Sequence, residues 1–467
     1  MGGAGQLVQA LGPEIVLAER AAIAPYCRDW HGDVQTDAVA VLRPRSTAQV
    51  QACVRACTGL GLGIVPQGGR TGLSLGAVPD APGAQVVISL ERMAAIRSVE
   101  PDDFSVVVEA GAILDNVRQA VAAEGLLLPL SLGAQGSCQI GGNLSTNAGG
   151  LNVLRHGMAR DLVLGLEVVL PCGRVFDGLS RLRKDNRGLD LKQLFIGAEG
   201  TLGIITAAVL KLMPAPGQVA TALLALDGME AAVALFRHAR RQCCDLMTAF
   251  EVMPPLGLEI AREAVPDLPL PLGTAHPAFV LLEVSGSGLV DIAGLTQRFL
   301  EEALEAGLLR DGVVAQSRAQ AQALWRIREG MNEGQGRRGR HLRTDVSVPL
   351  SRLAVFVAEA EAEVGRALPG AVCLSYGHVG DGNVHLNVLP APDRDPAAQI
   401  ATAKEIVNAA VDRHGGSISA EHGIGRLKRP DFEARLPEVQ RDLLAAIRRA
   451  IDPGLAMNPG VHIDLRG

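Results

Sequence analysis

SLGAQGSCQIGGNLSTNAGG, residues 131–150, alternates glycine with small hydroxyl and amide side chains. Glycine lacks Cβ and tolerates φ > 0, so backbone N–H groups along such a run can close on a ligand. The serine, threonine and asparagine side chains add donors and acceptors. This composition predicts a loop that lines a flat, polar ligand. Two other stretches share the character. Pro66-Gln67-Gly68-Gly69-Arg70-Thr71-Gly72 follows the apolar run 61–65, and IGAEGTLGII, residues 196–205, puts small residues before a strand. Any one of these also reads as an ordinary turn. The order and spacing of all three is the more specific signal, and it is not the G-x-G-x-x-G of a nicotinamide-binding fold.

The chain around these loops has 467 residues. Single cores stop growing at about 250–300 residues, so two or three domains are expected. Hydrophobic residues make up 48% and aromatics 3%, so the core must be built from Leu, Val, Ile and Ala. Lys plus Arg is 44 and Asp plus Glu is 50, a formal charge of −6. That balance argues against a nucleic-acid partner, which needs a basic face. The 8 cysteines include no C-x-x-C pair. They are expected to be reduced, buried small hydrophobes in an intracellular, cytoplasmic protein. The N-terminus has no basic segment followed by an apolar one, and Met1-Gly2-Gly3 lacks the Ser or Thr of a myristoylation signal. No run of about 18 apolar residues predicts a membrane span.

Alternating patterns divide the chain. Residues 1–37 form an N-terminal helical segment. Residues 38–215 open with a strand-like VAVLRP and a helix over 46–60 with Ser46 as N-cap, and continue with strands near 85–90, 105–110, 163–170 and 203–211. MPAPG, residues 213–217, marks a boundary. In 216–425, strands at 219–226, 247–252 and 279–284 alternate with helices at 229–241 and 289–306. This predicts an α/β domain with an antiparallel sheet and helices on one face. Residues 426–467 end in a helix and a Gly/Pro tail, a C-terminal segment expected to pack back on the 38–215 domain.

YGHVGDGNVHLNV, residues 376–388, carries the sharpest local signal. Asp381-Gly382 suits a two-residue hairpin loop. That loop would set Gly380 against Asn383, Val379 against Val384 and His378 against His385. Directly opposed Cβ atoms stand about 4.5–5.5 Å apart, so two imidazoles could share one tetrahedral ion. SAEHGIG, residues 419–425, adds a carboxylate and another histidine among small residues.

With these segments the chain resembles the FAD-linked D-2-hydroxyacid dehydrogenases, flavoproteins of the vanillyl-alcohol-oxidase/p-cresol-methylhydroxylase type, over about residue 38 to the end. The wording of HLNV and SAEHG is most similar to the D-2-hydroxyglutarate branch. The resemblance implies an α+β fold in which a two-subdomain FAD-binding domain is joined to the substrate domain. It implies cofactor contacts from Pro66, Gly68, Gly69, Arg70, Thr71 and Gly72 in the first loop. In the second they come from Leu132, Gly133, Ser137, Gly141, Gly142, Asn143, Thr146, Asn147 and Gly149. In the third they come from Glu199, Gly200, Gly203 and Ile204, with Asn458 in the tail. Some relatives bond the flavin to a histidine in the first loop. Gly69-Arg70-Thr71 has none, which implies noncovalent FAD.

The resemblance further implies that His378, His385 and Glu421 bind a divalent metal and that His422 is the base. Two nitrogens and one oxygen suit Zn²⁺ best, with Mn²⁺ or Fe²⁺ as alternatives. The metal would lower the pKa of a bound 2-hydroxyl, His422 would take its proton, and the C2 hydride would pass to flavin N5. Substrate contacts fall to Arg328, Asn332, Arg343 and Asn387. Arg328 and Asn332 lie one helical turn apart and share a face. The family commonly has Thr at Asn332 and Lys at Arg343. Arg grips a carboxylate bidentately where Lys is a point charge, so this departure bears on the far end of the substrate. Two cations favour a dicarboxylate such as D-2-hydroxyglutarate, with D-lactate or glycolate as alternatives in the same family. A zinc hydrolase is a different class that the His/His/Glu set also permits. The expected partners are the small hydroxy acid and an electron acceptor such as an electron-transfer flavoprotein or a quinone. A homodimer is compatible with this reading.

Overall fold

The computed structural model describes residues 2–80 and 84–465, and so leaves Met1 of the N-terminal motif outside the described residues. They form two compact units. Unit 1 holds the chain up to Gly150, Gly157–Ala215 and the segment from Glu421, and unit 2 holds Leu151–His156 and Pro216–Ala420. The chain is an α+β protein.

Among the described residues, unit 1 contains two larger sheets and a two-stranded one. The strands of the first are β1 (Val16–Leu17), β2 (Val41–Leu42), β3 (Gly63–Gln67) and β4 (Gln85–Ser89), in the order β1-β2-β4-β3. β2 and β3 both run parallel to β4. β2 and β3 flank β4, and the helix Thr47–Gly59 carries the chain from the one to the other, as parallel strands require. Ser46 caps it as expected, accepting from the Gln49 amide at 3.3 Å.

The next strands are β5 (Ile96–Glu100), β6 (Ser105–Glu109), β7 (Leu126–Leu127), β8 (Val163–Val169), β9 (Val175–Gly178), β10 (Ile204–Lys211) and β11 (Met213–Pro214). Five of them form an antiparallel sheet ordered β5-β6-β10-β8-β9, and β7 pairs with β11. Both larger sheets feed one core, which includes Leu42, Ile64, Ile88, Val108, Leu166 and Leu210. Each such side chain contributes up to about 1.5–3 kcal/mol on burial. The 66–72 loop leaves the C-terminal end of β3, and the 196–203 loop leads into β10, so the strands fix both ends of the cradle described below.

Unit 2 is built on β12 (Gln218–Leu226), β13 (Met247–Met253), β14 (Ala278–Gly286), β15 (Asp311–Val314), β16 (Val346–Ser347), β17 (Val372–His378) and β18 (Asn383–Leu389). The seven-stranded sheet is ordered β15-β12-β14-β13-β17-β18-β16, and every pairing is antiparallel. The helices do not keep to one face, as the sequence pattern suggested. Ala222, Leu224, Phe250 and Val252 share a core with the helices Met229–Cys243, Ile292–Glu305, Leu353–Ala367 and Pro396–Arg413. The alternate residues Leu223, Ala225, Met253 and Tyr376 pack with Pro255–Ala264 and Arg318–Arg337 on the other face. Coverage of both faces explains why β12 and β13 read as unbroken apolar runs.

Two further expectations change. Residues 421–425 belong to unit 1 rather than to the substrate domain, because the Ile424 and Gly425 amides donate to the Glu199 carboxylate at 2.7 and 2.9 Å. Residues 2–37 and 426–465 belong to the same unit. Cys172 and Cys244 are exposed, whereas Cys27, Cys53, Cys57, Cys138 and Cys243 are buried and Cys373 is half-buried. Cys172 sits in the turn between β8 and β9, and Cys244 follows a helix end with φ +48°, positions that face solvent.

Candidate active site

In unit 1 the glycine loops converge on one cleft. Pro66, Gly68, Gly69, Arg70, Thr71 and Gly72 line it from the first loop, and Gly141, Gly142, Asn143 and Thr146 from the second. Glu199, Gly200, Gly203, Ile204 and Asn458 complete the predicted wall. The glycines serve two purposes. A Cβ on Gly72 or Gly142 would meet no protein atom within 4 Å, so these two keep ligand space open. Gly69 instead abuts the Ser137 carbonyl, where a Cβ would overlap backbone.

Several predicted residues hold the cradle together rather than face the cleft with free groups. Arg70 has its guanidinium 5.0 Å over the Tyr26 ring and donates to the Pro25 carbonyl. Asn458 donates to the Glu199 and Gly76 carbonyls at 2.6 and 2.9 Å and accepts from Arg426 at 2.9 Å. Burial works against the Glu199 carboxylate, but His462 and the 424–425 amides outweigh it and hold the pKa below its usual value. Five predicted residues are not on the wall. Gly133 and Ser137 are exposed. Leu132 packs against the core. Asn147 caps the segment at Arg160, whose amide it accepts at 2.9 Å. Gly149 makes room for Glu421, whose carboxylate a Cβ there would overlap.

The cleft also uses residues that the loop pattern does not single out. Gln67 donates to the Tyr26 and Ala77 carbonyls at 2.8 and 2.7 Å, which fixes its amide orientation and leaves Oε1 buried without a partner. Gln139 Oε1 is likewise buried and unpartnered. Both residues line the cleft. Buried acceptors without donors are rare in native proteins, and N–H groups of a bound heterocycle would satisfy them. Open glycines and orphaned acceptors lining one cleft fit a flavin dinucleotide. His422 lies on the same wall, and the Ser74 hydroxyl holds its backbone carbonyl at 3.1 Å.

In unit 2 the hairpin differs from the expected one. β17 ends at His378, a turn of 3₁₀ type spans Val379–Asp381, and Gly382 takes φ +79°. Tyr376, not His378, stands opposite His385. The displacement is two residues, and the side-chain period of a strand is two, so both histidines stay on one face. They are diagonal neighbours with ring centroids 5.8 Å apart, and their ligand-capable atoms lie within 4.8 Å. His378 Nδ1 is 2.5 Å from Glu251 Oε1, and His385 Nδ1 is 3.2 Å from the Thr344 carbonyl. Each partner is an acceptor, so Nδ1 carries the proton on both rings and Nε2 is the atom offered to an ion. This donor set fits a divalent metal.

Arg328, Asn332 and Asn387 meet on the same sheet face. The helix Arg318–Arg337 buries Leu324, Ile327, Arg328, Met331 and Gln335, a helical stripe that contains two polar members. Gly334 brings it close to Pro255–Ala264, since a Cβ there would overlap the Ile260 carbonyl. Arg328 lies 4.7 Å over the Tyr376 ring and donates from Nε to Glu251 at 2.9 Å. The Tyr376 hydroxyl donates to Asn332 at 2.6 Å, and Asn387 donates to Gln335 at 2.8 Å. Arg343 is exposed on the segment before β16. Glu251 is the residue that pattern-reading missed. Its signal was a lone carboxylate in MTAFEVM, a strand buried at all seven positions. Burial disfavours its charge, but His378 and Arg328 outweigh this and hold its pKa well below normal.

A model of FAD linked oxidases, C-terminal domain, matches residues 215–461, and a model of FAD binding domain matches 38–178. The chain belongs to the FAD-linked oxidase family. FAD is therefore the cofactor, and the zinc-hydrolase alternative, which gives the glycine loops no role, falls away. Curated relatives include the mitochondrial D-2-hydroxyglutarate dehydrogenase of Bos taurus, 37% identical over 96% of this chain and 81% of its own. The D-2-hydroxyglutarate dehydrogenase of Xanthomonas citri pv. viticola is 37% identical over 97% of this chain and 95% of its own. That of Arabidopsis thaliana, also mitochondrial, is 35% identical over 97% and 79%. Among solved structures, p-cresol methylhydroxylase with substrate bound superposes with a TM-score of 0.79 at 16% identity, covering 100% of this chain and 97% of its own. 4-Ethylphenol oxidase from Gulosibacter chungangensis gives 0.77 at 19%, covering 99% and 97%. These two likenesses concern the fold, which is of the vanillyl-alcohol-oxidase/p-cresol-methylhydroxylase type. No described helix is long and apolar enough to cross a membrane.

Proposed function

We propose that this family member oxidises D-2-hydroxyglutarate to the 2-oxo acid, with the hydroxy acid held by Arg328 and by a divalent ion, best Zn²⁺, on His378, His385 and Glu421. The observation that carries the proposal is the sheet face of unit 2. It presents two imidazoles, each held through Nδ1 by an acceptor, and a buried arginine, the groups that a 2-hydroxy carboxylate needs. The relatives named D-2-hydroxyglutarate dehydrogenase support the choice of substrate.

Arg328 pairs with a substrate carboxylate, and Asn387 and Asn332 orient it. Arg343 supplies the second cation for a dicarboxylate. His422, on the flavin cleft, takes the proton from the C2 hydroxyl oxygen. Bound metal supplies Lewis-acid polarisation of that hydroxyl. Noncovalent FAD, held by the glycine loops, would supply the hydride acceptor, with an electron-transfer flavoprotein or a quinone as the partner. A cytoplasmic location is part of the proposal, and eight free thiols suit a reducing compartment.

The test is anaerobic mixing of the purified flavoprotein with D- and L-2-hydroxy acids while flavin absorbance is followed. D-2-hydroxyglutarate should bleach the flavin fastest. Faster bleaching by D-lactate or glycolate replaces the substrate, and no bleaching by any of them overturns the proposal. If His422→Ala is reduced as fast as wild type, His422 is not the base.

A further inference from the structure

We infer that Glu251 is a positioning residue that locks the metal-binding histidine His378 and the carboxylate-binding Arg328 into one rigid frame. The inference rests on the roles proposed above for those two residues. Glu251 is 1% exposed, in the middle of a strand with no exposed residue. A carboxylate in such a place costs several kcal/mol unless it is paired and hydrogen-bonded. Both oxygens are used. Oε1 stands 2.5 Å from His378 Nδ1, and Oε2 accepts from Arg328 Nε at 2.9 Å.

The backbone makes this arrangement stiff. Glu251 and His378 are direct partners across the β13–β17 ladder, so their Cβ atoms point to the same face. Arg328 comes from a helix set close to its neighbour by Gly330 and Gly334. The ring of Tyr376 closes the guanidinium from the other side. None of the three side chains has room to turn, since Arg328 and His378 are 6% and 7% exposed.

Two consequences follow from the donor and acceptor inventory. An ionised carboxylate only accepts, so His378 Nδ1 must carry a proton and Nε2 must point away from Glu251. Carboxylate partners of this kind fix the orientation of ligating histidines. Arg328 commits Nε to Glu251, and its two terminal Nη groups are the donors left for a substrate carboxylate. One buried side chain thus sets the distance and angle between the two recognition elements. An amide at position 251 could donate as well as accept and would hold neither partner to one orientation.

The test compares wild type, Glu251→Gln and the charge-conserving Glu251→Asp as purified flavoproteins. Flavin content and thermal midpoint serve as fold controls. The first readout needs no metal: histidine-selective ¹⁵N spectra of the metal-free flavoprotein should show Nδ1 of His378 protonated in wild type. An unprotonated Nδ1 there overturns the inference, whether or not the protein binds an ion. The second is affinity for Zn²⁺ by competition with a chelator, with the visible spectrum of the Co²⁺ form. Glu251→Gln should weaken Zn²⁺ binding about 10- to 100-fold, shift the Co²⁺ bands and raise KM for the hydroxy acid. Glu251→Asp should recover part of each. Glu251→Gln with wild-type Zn²⁺ affinity, Co²⁺ spectrum and KM overturns the inference. Failure of wild type itself to bind Zn²⁺ or Co²⁺ overturns the metal reading, and the ¹⁵N result then decides the inference alone.

Discussion

The Glu421 carboxylate accepts a hydrogen bond from the Gly150 amide at 2.7 Å, and Gly149 beside it leaves no room for a Cβ against the same oxygen. The last two glycines of the 131–150 loop thus seat the carboxylate that is proposed as a metal ligand. Gly149→Ala is expected to keep flavin and fold. It should lower Zn²⁺ affinity and the rate of anaerobic flavin reduction by about 10- to 100-fold, the usual scale when the support of a ligand is disturbed. Chelator competition and stopped-flow absorbance measure both. Wild-type values would mean that Glu421 tolerates displacement.

Glycines in the cleft should divide by what lies beyond them. Gly142 faces open space, so Gly142→Val puts methyl groups where ligand belongs. Flavin affinity should fall at least about tenfold, or ~1.4 kcal/mol, while the melting point of the flavin-free protein barely moves. Gly69→Ala drives a methyl into the Ser137 carbonyl and should lower that melting point directly. Absorbance titration with FAD and calorimetry separate the two effects.

Acid should weaken unit 1 through Glu199. Its pKa in the folded chain lies below the ordinary 4.5, because His462 and two amides overcome the penalty of burial. A carboxylate lowered by folding contributes stability that is complete above its unfolded pKa and is lost as pH falls through the folded value. The melting temperature should therefore drop as pH is lowered below about 4.5. Glu199→Gln should be less stable near neutrality and should show a shallower decline in acid. Parallel curves for the two proteins would remove Glu199 from the acid response.

Arg328→Met should be costly for stability as well as for binding. It strips the buried Glu251 of one of its two partners. Breaking a buried pair from one side typically costs about 3–5 kcal/mol. The urea midpoint should fall accordingly. Arg328→Lys should lose less stability, yet KM for a dicarboxylate should still rise, since an ammonium cannot reach Glu251 and grip a carboxylate with a fork. An unchanged urea midpoint in Arg328→Met would show that Glu251 is held by other groups.

Much of the site was legible because its chemistry is local. Glycine loops declare themselves by residue type, and 66–72, Gly141–Asn143, Thr146, Glu199, Gly200, Gly203 and Ile204 do line the cleft. The histidine hairpin was legible in its face but not in its register. Val379–Asp381 forms a 3₁₀ turn rather than continuing both strands to Asp381-Gly382, and the partner of His385 moves from His378 to Tyr376. The pairing of the histidines survives because a shift of two preserves the face. Leu132, Gly133 and Ser137 were implied as cofactor contacts by the resemblance, and the cleft passes them by.

The sequence by itself determined the family, the glycine loops and the His378/His385 pair, since each is written in residue types at short spacing. Only the tertiary structure decided what supports them. Glu251 and His378 are 127 residues apart, and no periodicity links them. They meet because β13 and β17 are neighbours in a sheet whose order skips along the chain. The same holds for Gln67 and Gln139, whose significance lies in acceptors that no donor reaches among the described residues. Burial and missing partners are properties of packing, and packing is set by long-range pairing that a linear pattern does not record.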